Sequence, residues 1–141
     1  MALLDDETTT EVRQKLKDLA GPVNLVLFTD PDPEGARPPV AELLREVAGL
    51  SDKITLEEHD RKTDASLAFR YGIERVPAIV VEGERDYGIR YYGFPGGFEF
   101  GTLIEVMADV ARGKAELRTE ISAGLATLAG PVHIQVFVTP T

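Results

Sequence analysis

The chain has no cysteine among its 141 residues. That excludes disulfides, thiolate metal sites and a cysteine nucleophile within it, and it leaves the redox state of its compartment open. Tryptophan is also absent, and there are two histidines, His59 and His133, far apart in sequence. Two separated histidines with no further His or Cys around them make a poor metal set, so no metal is expected. Positive charge is scarce: 15 Lys and Arg stand against 24 Asp and Glu, a net charge of −9. An acidic surface repels phosphate backbones and anionic lipid, so neither nucleic acid nor membrane is an expected partner. No apolar run is long enough to cross a bilayer. The start, Met1 to Glu7, lacks the basic residues and apolar stretch of a secretion signal, so the cytoplasm is the expected location.

What the sequence does have is an internal repeat. Thr10–Phe28 and Thr119–Phe137 align without a gap at an offset of 109 residues. Thr10, Glu11 and Leu16 recur as Thr119, Glu120 and Leu125. The run Leu19-Ala20-Gly21-Pro22-Val23 recurs as Leu128-Ala129-Gly130-Pro131-Val132, and Phe28 as Phe137. Gly-Pro is a common helix stop, but here the matches continue through a helix and a strand in one register. The chain is therefore read as one unit, residues 1–113, followed by the opening helix and strand of a second, residues 114–141.

Local signals give the order of elements. Thr8-x-x-Glu11 reads as a capping box ahead of the helical stripe Val12, Leu16, Leu19, Ala20. Val23–Thr29 is a buried β run. Asp30–Arg37 is a Pro/Gly/Asp loop, and Pro38 and Pro39 suit the first turn of a helix with Val40, Leu43, Leu44 and Val47 on one face. Lys53–His59 reads as a strand and Asp64–Tyr71 as a short helix closed by Gly72. Ala78–Val81 and Tyr87–Tyr91 read as a hairpin through Glu82-Gly83-Glu84, and Gly96-Gly97 precedes a helix carrying Phe100, Leu103, Ile104, Met107 and Val110. In the tail, Ile121, Leu125, Leu128 and Ala129 repeat the first stripe, and Val132–Val138 reads as a strand. The expected fold is α/β, in the order α-β-α-β-α-β-β-α, with a largely parallel core, then α-β.

That order is the thioredoxin-like fold with an added N-terminal helix. Arg75-Val76-Pro77-Ala78 falls where such proteins hold a cis-proline, and Tyr92-Gly93-Phe94-Pro95-Gly96-Gly97 falls at their glycine kink before the last helix. The chain resembles the N-terminal part of the tandem thioredoxin/glutaredoxin-like protein disulfide oxidoreductases. The stretches that carry this are Leu50–Lys53, Arg70–Ile73, Tyr87–Gly93 and the terminal Val136–Thr141, which resembles the lead-in to a second unit's Cys-x-x-Cys. A close second resemblance is to the N-terminal region of the flavoprotein component of alkyl hydroperoxide reductase, which also pairs a cysteine-free unit with a cysteine-bearing one.

The departure from both families is the site itself. Where they carry Cys-x-x-Cys, this chain reads Asp30–Pro39, and by spacing to the helix Glu34 and Arg37 stand in the cysteine positions. No catalytic residue or cofactor is therefore expected in this chain. The resemblance implies a substrate-binding cleft at Val76, Pro77 and Gly93, with Val76–Pro77 cis, where an extended peptide or protein segment is held by its main chain. One or two members of the aromatic tract Tyr87, Tyr91, Tyr92, Phe94, Phe98 and Phe100 are candidates for that cleft's wall.

Three further patterns receive dull readings. Asp30-x-Asp32-x-Glu34-Gly35 imitates the start of a calcium loop but reaches Ala41 where a bidentate Glu belongs. Gly93-x-x-Gly96-Gly97 lacks the spacing of a phosphate loop and reads as a backbone kink. His59 and His133 read as structural. Three functions stay open: a non-catalytic unit of a thiol–disulfide oxidoreductase in redox homeostasis, a docking region of a peroxide-reducing flavoprotein system, and a free-standing peptide-binding adaptor. Expected partners are the parent's second unit and, through residues 115–141, a second copy of the chain.

Overall fold

The structure is a computed structural model and describes residues 2–139; Pro140 and Thr141, part of the lead-in stretch, lie outside the described residues. Val23–Thr29 (β1) is buried on both faces, as a strand at the centre of a sheet must be. Val23, Leu25 and Leu27 point to one side, and Val26 and Phe28 to the other. β1 lies between Ile54–Asp60 (β2), which it pairs in parallel, and Ala78–Glu82 (β3), which it pairs antiparallel. Arg90–Tyr92 (β4) closes the other edge, so the order across the sheet is β2-β1-β3-β4.

Helices cover both faces. Asp6–Leu16 (α1), Pro39–Ala48 (α2) and Phe98–Arg112 (α4) pack on the side of Leu25 and Leu27, where Leu16, Leu44, Ile79, Leu103 and Met107 complete the larger core. Ala65–Tyr71 (α3) covers the other side, over Val26, Phe28, Ala78 and Val80. A last helix, Thr119–Ala126 (α5), follows Gly113. Packing is tightest at the end of α4. A Cβ on Gly83 would stand 2.3 Å from the Val110 carbonyl oxygen, and one on Gly21 2.7 Å from that of Ala111. Two glycines therefore let the ends of β3 and of the α1–β1 turn seat against the helix backbone.

Four expectations are corrected. The core is not largely parallel: only β1–β2 is. α3 has seven residues, about 10 Å of helix, too short to carry the chain back along the length of a strand. Gly72, at φ 68°, reverses it, and β3 starts at the end of the sheet where β2 finished. The cap of α1 is Asp5, not Thr8. The Asp5 carboxylate accepts from the Thr8 backbone N–H at 2.7 Å, so Thr8 lies inside the first turn. The second hairpin strand is shorter than Tyr87–Tyr91 and begins at Arg90, because Gly88, at φ 85°, donates to the Asp86 carboxylate and takes the preceding residues into a turn. Finally, Val132–Val138 forms no strand. It has no neighbour to pair with among the described residues, and every residue from 115 to 139 is exposed.

Candidate functional site

The β1–α2 loop leaves the sheet at Asp30 and is shaped by its own short-range bonds. The Asp32 carboxylate accepts from the Glu34 N–H at 2.7 Å, and the Asp32 carbonyl from the Gly35 N–H at 2.9 Å. Gly35 sits at φ 74°, a left-handed conformation that glycine adopts without a Cβ penalty. Pro38 then runs extended at ψ 141°, and Pro39 opens α2, where a missing amide donor costs nothing. Glu34 and Arg37 therefore both precede the helix, and both are exposed. No hydrogen bond engages either side chain among the described residues. Asp30, Asp32 and Glu34 form a turn rather than a converging set of oxygens.

The base of the loop is pinned. Arg61 donates through its backbone to the Thr29 carbonyl at 2.8 Å, and its guanidinium reaches the Asp30 carboxylate at 3.3 Å and the Glu74 carbonyl at 3.4 Å. One residue thus ties the end of β1 to the segment that leads into Pro77.

Val76–Pro77 is a cis peptide. The Gly93 N–H donates to the Pro77 carbonyl at 2.9 Å, and Gly93 takes φ 88°, so Val76, Pro77 and Gly93 come together at the end of the β3–β4 ladder. Val76 packs inward against the smaller core, while its own N–H and C=O meet no hydrogen-bond partner among the described residues. Arg75 lies over the Tyr92 ring, 5.2 Å from its centroid, a cation–π contact at the rim. Beside Pro77 opens a cleft of 370 Å³ walled by Pro38, Pro39, Val40, Pro77 and Phe94. Every one of these walls is apolar. Of the aromatic tract, Phe94 is the residue that reaches it. Sequence alone marks Pro38, Pro39 and Val40 only as the start of a helix; the loop's curvature brings them to Pro77, and no local signal announces that. Gly96 and Gly97 turn the chain into α4, with Gly97 at φ 57° in the capping position.

Behind the site the smaller core is polar at its margin. Phe28 stacks on His59 at 5.5 Å and meets Tyr71 edge-on at 5.9 Å. His59 Nδ1 lies 2.9 Å from the Asp64 carboxylate, which gives the histidine a structural role. His133 is exposed in the tail. Asn24 bridges three strands: its amide donates to Glu57 at 2.8 Å and Glu82 at 3.0 Å, and its oxygen accepts from Thr55 at 2.8 Å. Burial, helped by the Glu82 carboxylate that accepts its hydroxyl proton, pushes the Tyr71 phenol up to about 12. The paired hydrogen bonds from Arg90 hold Asp86 below the usual carboxylate range.

A 2-1-3-4 sheet with one parallel pair, helices on both faces and a cis-proline opposite the β1–α2 loop defines a thioredoxin-like domain of the kind found in redox proteins. No family profile matches the chain. Its similarity is to the N-terminal region of the alkyl hydroperoxide reductase flavoprotein, AhpF, and to the disulfide oxidoreductases. It is 32% identical over 102 residues to the AhpF protein of Escherichia coli, a match that covers 72% of this chain and 18% of that protein. Against AhpF of Pseudomonas aeruginosa it is 27% identical over 137 residues, 96% of this chain and 24% of that one. The chain thus spans about a quarter or less of the length of these curated relatives. Among solved structures, the NTD_N/C domain of alkylhydroperoxide reductase AhpF from Enterococcus faecalis superposes with a TM-score of 0.75 at 25% identity. That match covers 86% of this chain and 59% of the other. A protein disulfide oxidoreductase from Aeropyrum pernix gives 0.74 at 22%, over 92% and 58%, a likeness of fold. No helix among the described residues is long and apolar enough to cross a membrane.

Proposed function

We propose that this chain is the non-catalytic thioredoxin-like unit of a thiol–disulfide redox protein serving redox homeostasis, with the chemistry in a cysteine-bearing second unit. The favoured parent is of the AhpF type, in which this unit would be a docking region of a peroxide-reducing flavoprotein system. The tandem disulfide oxidoreductases are the second reading, supported by the fold they share with it. The observation that carries the proposal is a cleft kept without its chemistry. Pro77, Val76 and Gly93 keep a peptide-sized apolar cleft, while Glu34 and Arg37 stand in an exposed turn with no thiol. Exchange requires an attacking thiolate, so what remains is binding and positioning of peptide or protein segments. The cytoplasm is the compartment this reading expects.

The same proposal divides the chain at residue 113. No residue beyond Ala111 takes part in either core cluster, and the repeat marks 114–141 as the start of another unit. A chain ending at Gly113 should melt at the same temperature as the whole.

The function is tested with two proteins. The 141-residue chain should reduce insulin with dithiothreitol no faster than a no-protein control. A longer protein that carries the reading frame past Thr141 should reduce disulfides or peroxide with NADH only while its own cysteines are intact. Turnover by the short chain, or a longer protein with no essential dithiol, overturns the reading.

A further inference from the structure

The tail presents a large unpartnered apolar surface. Val132 is 61% exposed and Phe137 89%, with Ile134, Val136 and Val138 between these values; in α5 and just beyond it, Ile121, Leu125 and Leu128 are about half exposed. These three fall at i, i+4 and i+7, one face of a helix. The equivalent residues of the first unit, Val12, Leu16, Leu19, Val23, Leu25 and Phe28, are all buried.

We infer that two copies of this chain associate through antiparallel pairing of Val132–Val138 about a twofold axis at Gln135. The sequence Val-His-Ile-Gln-Val-Phe-Val is palindromic in character. Pairing centred on Gln135 sets Val132 opposite the second copy's Val138, Ile134 opposite Val136, His133 opposite Phe137, and Gln135 opposite itself. An interface about a twofold needs a patch that complements itself, and this segment does. One face of the ribbon becomes eight β-branched side chains, four from each copy. The other carries two Gln amides that bond to one another, flanked by His–Phe pairs like the stacked Phe28–His59 pair across β1 and β2. A two-stranded ribbon alone is marginal in water. Here each strand brings its own helix, and the Ile121–Leu125–Leu128 stripe supplies the cover for the aliphatic face.

Two other placements fit worse. The tail strand cannot replace β1 in another copy, because Gln135 would enter the position of Val26, which is fully buried, and an amide there would lack a partner. Addition to the open edge of β2 would lay an aliphatic strand beside Glu57 and Glu58, an edge guarded by charge. The inference does not rest on the redox reading.

The test uses the 141-residue chain. Light scattering at tens of micromolar should give twice the 15.4 kDa chain mass, and a monomer overturns the inference. Since the chain has no cysteine, a single introduced one reports the register. Under mild oxidation Gln135→Cys should become a disulfide-linked dimer, because residue 135 faces its own copy. Val132→Cys should stay reduced, because its copies lie roughly 20 Å apart along the ribbon. Linkage at both positions, or at neither, overturns the proposed register. Gln135→Arg sets two like charges face to face and should halve the mass with the melting temperature of the first unit unchanged. These residues lie outside both cores, so failure to fold does not confuse the result.

Discussion

Gly83→Ala tests how α4 is seated on the sheet. The added Cβ would lie 2.3 Å from the Val110 carbonyl oxygen and 3.0 Å from its carbon, with the Pro22 carbonyl oxygen at 3.6 Å. Those are backbone atoms of a helix and a turn, so no side chain can rotate out of the way. A comfortable contact requires the last turn of α4 to move by about 1 Å, which loosens Leu103, Met107 and Val110 against β1 and β3. Overpacking of this kind costs typically 1–3 kcal/mol, and a rigid backbone obstacle puts the expected value near 3 kcal/mol. For a domain of this size that lowers the melting temperature by roughly 10 °C. The matched control is Gly101→Ala in the same helix, where a Cβ meets nothing within 4 Å; removing glycine from a helix interior stabilises by about 0.5–1 kcal/mol. Urea unfolding followed by circular dichroism reads both. If Gly83→Ala falls within about 0.5 kcal/mol of the parent, below any overpacking cost, the close approach of β3 to α4 is wrong.

Three further outcomes are expected. With Cys at both 34 and 37, in the double substitution Glu34→Cys and Arg37→Cys, the pair should stay reduced under glutathione buffers. Both positions precede the helix and Pro38 holds the chain extended; a ready disulfide would show that the loop keeps active-site geometry. Tyr71→Phe should abolish the last tyrosine ionisation, near pH 12, in an absorbance titration. Because the folded value lies above the ordinary 10.0, Tyr71 contributes stability that is whole below pH 10.0 and lost as pH rises through about 12, so the variant should lose less stability across that range. Asp86→Asn should cost about 0.5–1 kcal/mol at pH 7, as a partly exposed paired ion contact does. The folded carboxyl titrates below the ordinary 3.8, so its contribution is whole above that value and disappears as pH falls through the lower one. A variant equally weakened in strong acid would contradict the ion-pair account.

The sequence by itself determined whatever depends on residue type or on neighbours within a few positions. The absence of cysteine removed thiol chemistry at once. Val23–Thr29 was legible with correct ends because a centre strand is apolar throughout, between Pro22 and Asp30. Pro39 and Gly72 marked a helix start and stop through fixed local geometry. Pro77 and Gly93 were legible as site residues from their places relative to the hairpin. The tertiary structure decided what depends on distant partners. The direction of β3 followed from how far α3 could carry the chain, and no pattern within Ala78–Glu82 encodes it. The cleft gained Pro38, Pro39 and Val40 because the β1–α2 loop folds over toward Phe94, far along in sequence. Val132–Val138 has the composition of β1 but is not a strand here, because a strand exists only through ladder bonds to another and composition cannot supply the partner.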